Sequence, residues 1–156
     1  MRTLVALAML AVATTTFAAK KVLTLGSYLD FERVSDPQIS PDGTQVVYTR
    51  EWVHKQADKW ESALWVVNVD GSKNRYLTQG SSPRWSPDGT RIAYLDEGEP
   101  KEKQIFVRYM DAEGATTQIT RIESTPRSIA WSPDGSSIAF VQTVPKKEPW
   151  KIDLPA

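Results

Sequence analysis

Three copies of one eleven-residue pattern, evenly spaced, constrain this chain more than any other feature. Gln38-Ile39-Ser40-Pro41-Asp42-Gly43-Thr44-Gln45-Val46-Val47-Tyr48 recurs as Arg84-Trp85-Ser86-Pro87-Asp88-Gly89-Thr90-Arg91-Ile92-Ala93-Tyr94, then as Ala130-Trp131-Ser132-Pro133-Asp134-Gly135-Ser136-Ser137-Ile138-Ala139-Phe140. The serines fall at 40, 86 and 132, two identical steps of 46 residues. A fixed period of this length is the mark of an array of supersecondary units, none of which can bury its apolar face alone.

Each copy reads as a β-hairpin. Serine opens the turn by accepting a backbone hydrogen bond, proline presets φ at the next position, aspartate suits the third, and glycine takes the left-handed conformation that ends it. A three-residue connection with a type I turn followed by a left-handed glycine is expected. The strand after the turn is apolar at consecutive positions, as in Val46-Val47-Tyr48 and Ile92-Ala93-Tyr94, which predicts cover on both faces.

A second element repeats between the turns. Leu64-Trp65-Val66-Val67-Asn68-Val69-Asp70-Gly71 followed by Tyr76-Leu77-Thr78 corresponds to Ile105-Phe106-Val107-Arg108-Tyr109-Met110-Asp111-Ala112-Glu113-Gly114 followed by Gln118-Ile119-Thr120. One period therefore supplies about four antiparallel strands, the content of one propeller blade, and a repeat of roughly 40–50 residues is the propeller length. The expected fold is all-β, a β-propeller of four-stranded antiparallel blades. Glu51–Glu61 and Asp96–Gln104 read as long polar connections between second and third strands, on one face of the propeller, where partner contacts concentrate.

The third copy lacks its outer half. The matching strand starts 24 residues after the serine in the first unit (Leu64) and 19 after it in the second (Ile105), which predicts a start between 151 and 156 in the third. About two and a half blades are thus present, against roughly four or more in a closed propeller, so the chain is expected to be a fragment of a longer reading frame.

Residues 1–19 have the layout of a secretory signal peptide: Arg2, an apolar run from Leu4 to Val12, and small residues from Thr14 to Ala19. Cleavage after Ala18 or after Ala19 fits equally. The run is too short to span a bilayer, which takes about 20 apolar residues. Residues 20–36 form a lead-in segment and 37–156 the partial propeller, centred on Ser40, Ser86 and Ser132. The expectation is an exported protein, periplasmic or secreted, with no membrane association after signal cleavage.

The chain has no cysteine, which removes disulfides and thiolate metal sites. Lysine plus arginine balance aspartate plus glutamate at 19 each, and loss of Arg2 with the leader leaves the acids one ahead. No basic patch for nucleic acid or for a membrane surface is visible.

Chemistry-bearing groups are sparse. His54, the only histidine, lies in a polar connection, and no Gly-x-Ser-x-Gly elbow occurs, so no catalytic triad can be assembled and His54 reads as an ordinary exposed residue. Asp42, Asp88 and Asp134 offer one carboxylate per turn, about a blade apart, which suits a turn role and not chelation. Glu97, Glu99 and Glu102 cluster in the second connection, where acids would attract a peptide amine, but Lys101 and Lys103 interleave with them and favour a solvated loop. Trp65, Trp85, Phe106 and Trp131 fall on strands and read as core between blades. No catalytic, cofactor-binding or metal-binding residue is assigned, and no cofactor is expected.

The three copies resemble the PD40, or WD40-like, β-propeller repeats, while the Gly-His and Trp-Asp signatures of true WD40 repeats are absent. Such repeats occur in the TolB periplasmic protein and in the N-terminal propeller of the prolyl oligopeptidase (S9) family of serine peptidases, including dipeptidyl and acylaminoacyl peptidases. The run Val34-Ser35-Asp36-Pro37 leading straight into the first copy is similar to the opening of bacterial S9 peptidases. That resemblance implies a propeller gating peptide access to a C-terminal α/β-hydrolase domain absent from this chain, with a peptide substrate as partner. A non-catalytic, protein-binding propeller of TolB type is the second expectation, and an amidohydrolase fused to the same propeller a third.

Overall fold

A computed structural model describes residues 22–111 and 113–144. The expected signal peptide and the expected third strand of the last unit lie outside the described residues. A short helix, α1 (Leu25–Leu29), precedes ten strands: β1 (Arg33–Ile39), β2 (Gln45–His54), β3 (Lys59–Asn68), β4 (Arg75–Gln79), β5 (Ser81–Trp85), β6 (Arg91–Glu97), β7 (Lys103–Tyr109), β8 (Thr116–Gln118), β9 (Arg127–Trp131) and β10 (Ile138–Val141). They form two antiparallel four-stranded sheets, β1-β2-β3-β4 and β5-β6-β7-β8, and a two-stranded sheet of β9 and β10. β1 begins at Arg33, so the first blade reaches back into the segment read as a lead-in.

The first strands of the three units, β1, β5 and β9, lie side by side, so the sheets converge at one edge and splay at the other. That is the radial stacking of propeller blades. Each first strand carries a bulge at the same repeat position, where Asp36, Ser82 and Ser128 take φ of 50°, 57° and 53°. Non-glycine residues seldom adopt this conformation, and its threefold recurrence makes it part of the repeat.

The turns are built as the motif predicts, with one difference in length. Gly43, Gly89 and Gly135 take φ of 71°, 70° and 67°, and each donates its N–H to the carbonyl of the serine three residues back. Ser40 N–H bonds to Gln45 O, so four residues, Pro41–Thr44, make the connection where three were expected. The cause is the serine hydroxyl, which takes the place of a ladder carbonyl by accepting the Gln45 N–H at 2.9 Å. Ser86 and Ser132 do the same for Arg91 and Ser137.

The two long connections are largely strand. β2 and β3 stay in register out to His54 opposite Lys59, forming a ribbon that runs past the sheet, and β6 and β7 stay paired out to Glu97 opposite Lys103. Only residues 55–58 and 98–102 connect them. The polar composition of these stretches reflects exposure at the ribbon ends, not a lack of pairing.

Two cores lie between the sheets. Val47, Leu64, Val66 and Leu77 of the first blade meet Ile92 and Tyr94 of the second, with Trp85, Phe106 and Met110 at the margin. Ala93, Leu95 and Ile105 of the second meet Ile129 of the third, with Val107, Trp131, Ile138 and Phe140 around them. Ile92, Ala93, Tyr94 and Leu95 are all buried because blade 2 is covered on both sides. In β2 only Val47 and Thr49 are buried. The expected two-sided cover of Val46-Val47-Tyr48 is therefore met on one side among the described residues.

Each boundary also carries a polar latch. The Trp85 indole N–H donates to Gln38 O at 3.1 Å, and the equivalent Trp131 N–H donates to Arg84 O at 2.9 Å. Arg84 bridges back to Asp36 at 2.7 Å, and Arg91 stacks over Trp131 while donating to Gly135 O. Among the described residues no helix is long and apolar enough to cross a membrane.

Candidate functional site

The β2–β3 and β6–β7 hairpins open on the same face, and between them lies a cleft of about 260 Å³. The first blade contributes Lys59, Trp60 and Glu61, and the second Asp96, Glu97 and Lys103. Gly80, at the crossing from one blade to the next, forms part of its floor. A Cβ there would stand 2.7 Å from Leu95 O, so the close approach requires glycine.

Three carboxylates and two ammonium groups line the cleft. Lys59 pairs with Glu61 at 3.4 Å, and Lys103 donates to Ser81 Oγ at 3.2 Å. Burial is the main influence on Asp96, pushing its carboxyl above the usual range; the hydrogen bond from the Glu97 N–H opposes it, the Glu97 charge adds to it, and Lys103 opposes it. Trp60 is 62% exposed, with the Arg33 guanidinium over its ring. Such a cleft can receive a cationic group between carboxylates and an aromatic face.

Of the acids singled out in the sequence, only Glu97 reaches this cleft. Glu99 sits beside the Gln118 amide, which accepts the Glu99 N–H and donates to its carbonyl, and Glu102 accepts from Thr125. Glu61 and Asp96 were missed. The available signal was positional: Asp96 and Glu97 stand one period after Arg50 and Glu51, and Glu61 lies on the other arm of the first hairpin.

His54 closes β2 instead of lying in a loop, and its Nδ1 accepts the Ala57 N–H at 3.1 Å, tightening the hairpin tip. Asp42, Asp88 and Asp134 sit on the opposite face, each accepting from the turn serine at 2.5 Å and from the residue two positions on. Those bonds, the serine hydroxyl foremost, hold Asp42 below the usual carboxylate range and lower Asp88 and Asp134 to about 2. Among the described residues no grouping of three or more His, Cys, Asp or Glu could hold a metal ion.

Trp85 and Phe106 pack on the first core and Trp131 on the second. Trp65 instead faces the open side of blade 1, edge-on to Tyr76 and beneath the Arg50 guanidinium. It lies in neither core because its strand turns that face away from blade 2.

No protein-family model matches the chain. Among curated proteins, the uncharacterized peptidase YuxL of Bacillus subtilis is 34% identical over 47 residues, which is 30% of this chain and 7% of that protein. Among solved structures, the acylaminoacyl peptidase of Pyrococcus horikoshii matches with a TM-score of 0.66 and 22% identity, over 81% of this chain and 20% of its own. The β-propeller domain of the trilobed protease of Pyrococcus furiosus matches with a TM-score of 0.61 and 25% identity, over 72% of this chain and 34% of that one. A TolB-like protein of Agrobacterium tumefaciens matches with a TM-score of 0.53 and 23% identity, over 67% and 36%. The chain thus spans a small part of each of these proteins. In fold it is a stretch of β-propeller, and it resembles the propellers of S9 peptidases together with that of a TolB-like protein.

Proposed function

We propose that this chain is the N-terminal propeller portion of an exported S9-type serine peptidase, where it restricts which peptides reach a hydrolase domain. The observation that carries this reading is the match of consecutive blades to the propeller domain of a protease, at 25% identity over 72% of the chain. The short match to a Bacillus subtilis peptidase supports it independently. In this reading the hairpin ribbons and the acidic cleft between them face the route that peptides take. Export rests on the charged start, short apolar run and small residues of positions 1–19.

The test uses the product of the full reading frame. It is expected to label with a serine-directed fluorophosphonate, to hydrolyse short chromogenic peptides, and to spare a long unstructured polypeptide. Replacing residues 55–58 by Asn-Gly, a tighter hairpin turn, should raise the rate on longer peptides relative to short ones. Fractionation followed by N-terminal sequencing should find the protein outside the cytoplasm, starting at Ala19 or Lys20. A frame that yields no serine-reactive product and binds other proteins instead would replace the peptidase reading with a TolB-type one, which the Agrobacterium tumefaciens match supports.

A further inference from the structure

On the face that carries the Ser-Pro-Asp-Gly turns, a cavity of about 220 Å³ lies between the start of β4 and the end of β7. Arg75, Leu77, Arg108, Tyr109, Met110 and Asp111 line it. Arginines from different blades, the exposed Arg75 and the half-buried Arg108, therefore line one small space. The Arg75 side chain has neither a hydrogen bond nor an ion pair among the described residues. Arg108 uses Nη1 on Gly114 O at 2.7 Å and on Thr116 Oγ1 at 3.3 Å, while its Nε is buried without a partner. The one carboxylate present, Asp111, has Oδ1 accepting the Gly114 N–H at 2.8 Å.

The repeat shows that neither arginine is required to build a blade. Arg108 stands opposite Ile92 as Val67 stands opposite Val46, and Arg75 stands opposite Val66 as Thr117 stands opposite Val107. The array thus tolerates valine and threonine at these places. Gly114 presses on the Arg108 head so closely that a Cβ would lie 2.2 Å from Nη2, so the guanidinium is held in position by backbone. Two arginines lining one cavity across a boundary, with Asp111 the one carboxylate beside them, suit an oxyanion, because a guanidinium presents paired donors to such a group.

We propose that this cavity binds a small oxyanion, a carboxylate or a phosphate group, between Arg75 and Arg108. The cavity is large enough for either head group.

The experiment titrates the full chain with inorganic phosphate and, separately, with acetate, against chloride at matched ionic strength, reading heat of binding and thermal midpoint. Either anion is expected to bind more tightly than chloride and to raise the midpoint. Binding of phosphate alone would identify a phosphoryl group, and binding of acetate alone a carboxylate. Arg108→Val and Arg75→Thr install the repeat's own residues and should keep the strand signal in circular dichroism while weakening binding about tenfold each. Binding no stronger than that of chloride, or binding unchanged in the folded double variant, would overturn the proposal.

Discussion

Blades 1 and 2 are built from the same repeat, yet the same positions do different work in each. Tyr48 and Tyr94 lie one period apart in β2 and β6; Tyr94 is 1% exposed, whereas Tyr48 is half-buried and bonds Asn74 at the surface. Their cross-strand partners diverge likewise: Phe106 stacks on Tyr94 inside a core, and Trp65 lies under Arg50 on an open face. The repeat fixes which side chains point to which side of a blade. The neighbouring blade decides whether that side becomes core.

The largest expected effect breaks this comparison most directly. Tyr94→Ala removes a fully buried ring and should cost about 4 kcal/mol of unfolding free energy, while Tyr48→Ala should cost about 1 kcal/mol. Urea unfolding of the full chain reads both. Equal losses would mean that the position in the repeat, and not the neighbour, sets the energetics.

The next contrast compares the two cores. Leu64 and Ile105 occupy matching strand positions, and both are completely buried. Leu64 belongs to the first core, whereas Ile105 also lines an open cleft of about 470 Å³ beside Trp131, Ile138 and Phe140. A site that opens to water can relax and hydrate after truncation, so Leu64→Ala should cost about 3–4 kcal/mol and Ile105→Ala about 2–3 kcal/mol.

The tryptophan latches should not follow this difference. Trp85→Phe and Trp131→Phe each remove one N–H donor from a half-buried carbonyl across a boundary, which is worth about 1 kcal/mol. Similar losses at both sites would show that the inner strands are joined independently of how well the outer strands pack. A much larger loss at Trp131 would tie its latch to the Arg91 stack, which Trp85 lacks among the described residues.

Much of the fold was legible because turn chemistry is local. Ser-Pro-Asp-Gly sets its own hydrogen bonds, and the period of 46 residues then fixed the blade order. The lengths of the β2–β3 and β6–β7 ribbons were not legible, since Trp52, Trp60 and the charged residues around them have no alternation strong enough to separate a strand end from a loop. The burial of Trp65 was misread because two-sided cover is a property of neighbours. The acidic cleft was legible only in Glu97; Glu61 and Asp96 join it through pairing across two blades, a contact of long sequence separation. The bulge at Asp36, Ser82 and Ser128 was missed for a related reason: Asp36 and Ser82 precede proline, which points to a turn or an extended segment, Ser128 precedes Ile129 and carries no such signal, and only the ladder shows that the irregularity sits inside a strand.

The smallest expected effect is an equality. Asp88 and Asp134 lie in different blades, one complete and one represented by its first two strands; their turn bonds match, Arg91 stands 3.8 Å from Asp88 where the third turn has Ser137, and both carboxyls fall from 3.8 to about 2. A folded-state value below the unfolded one means that the carboxylate stabilises the fold at pH above about 4, and that this contribution is lost as pH falls from about 4 through 2. Carbon-detected NMR titration should place both groups near 2, and Asp88→Asn and Asp134→Asn should each flatten the acid limb of the stability profile by the same modest amount. The turn is closed by its own serine and by the residue two positions on, and Arg91 adds only a smaller pull on Asp88. A value at Asp134 clearly above that at Asp88 would show that Arg91, which the third turn replaces with Ser137, outweighs the turn's own bonds, and the sequence motif would then be a weaker guide to turn energetics than its geometry implies.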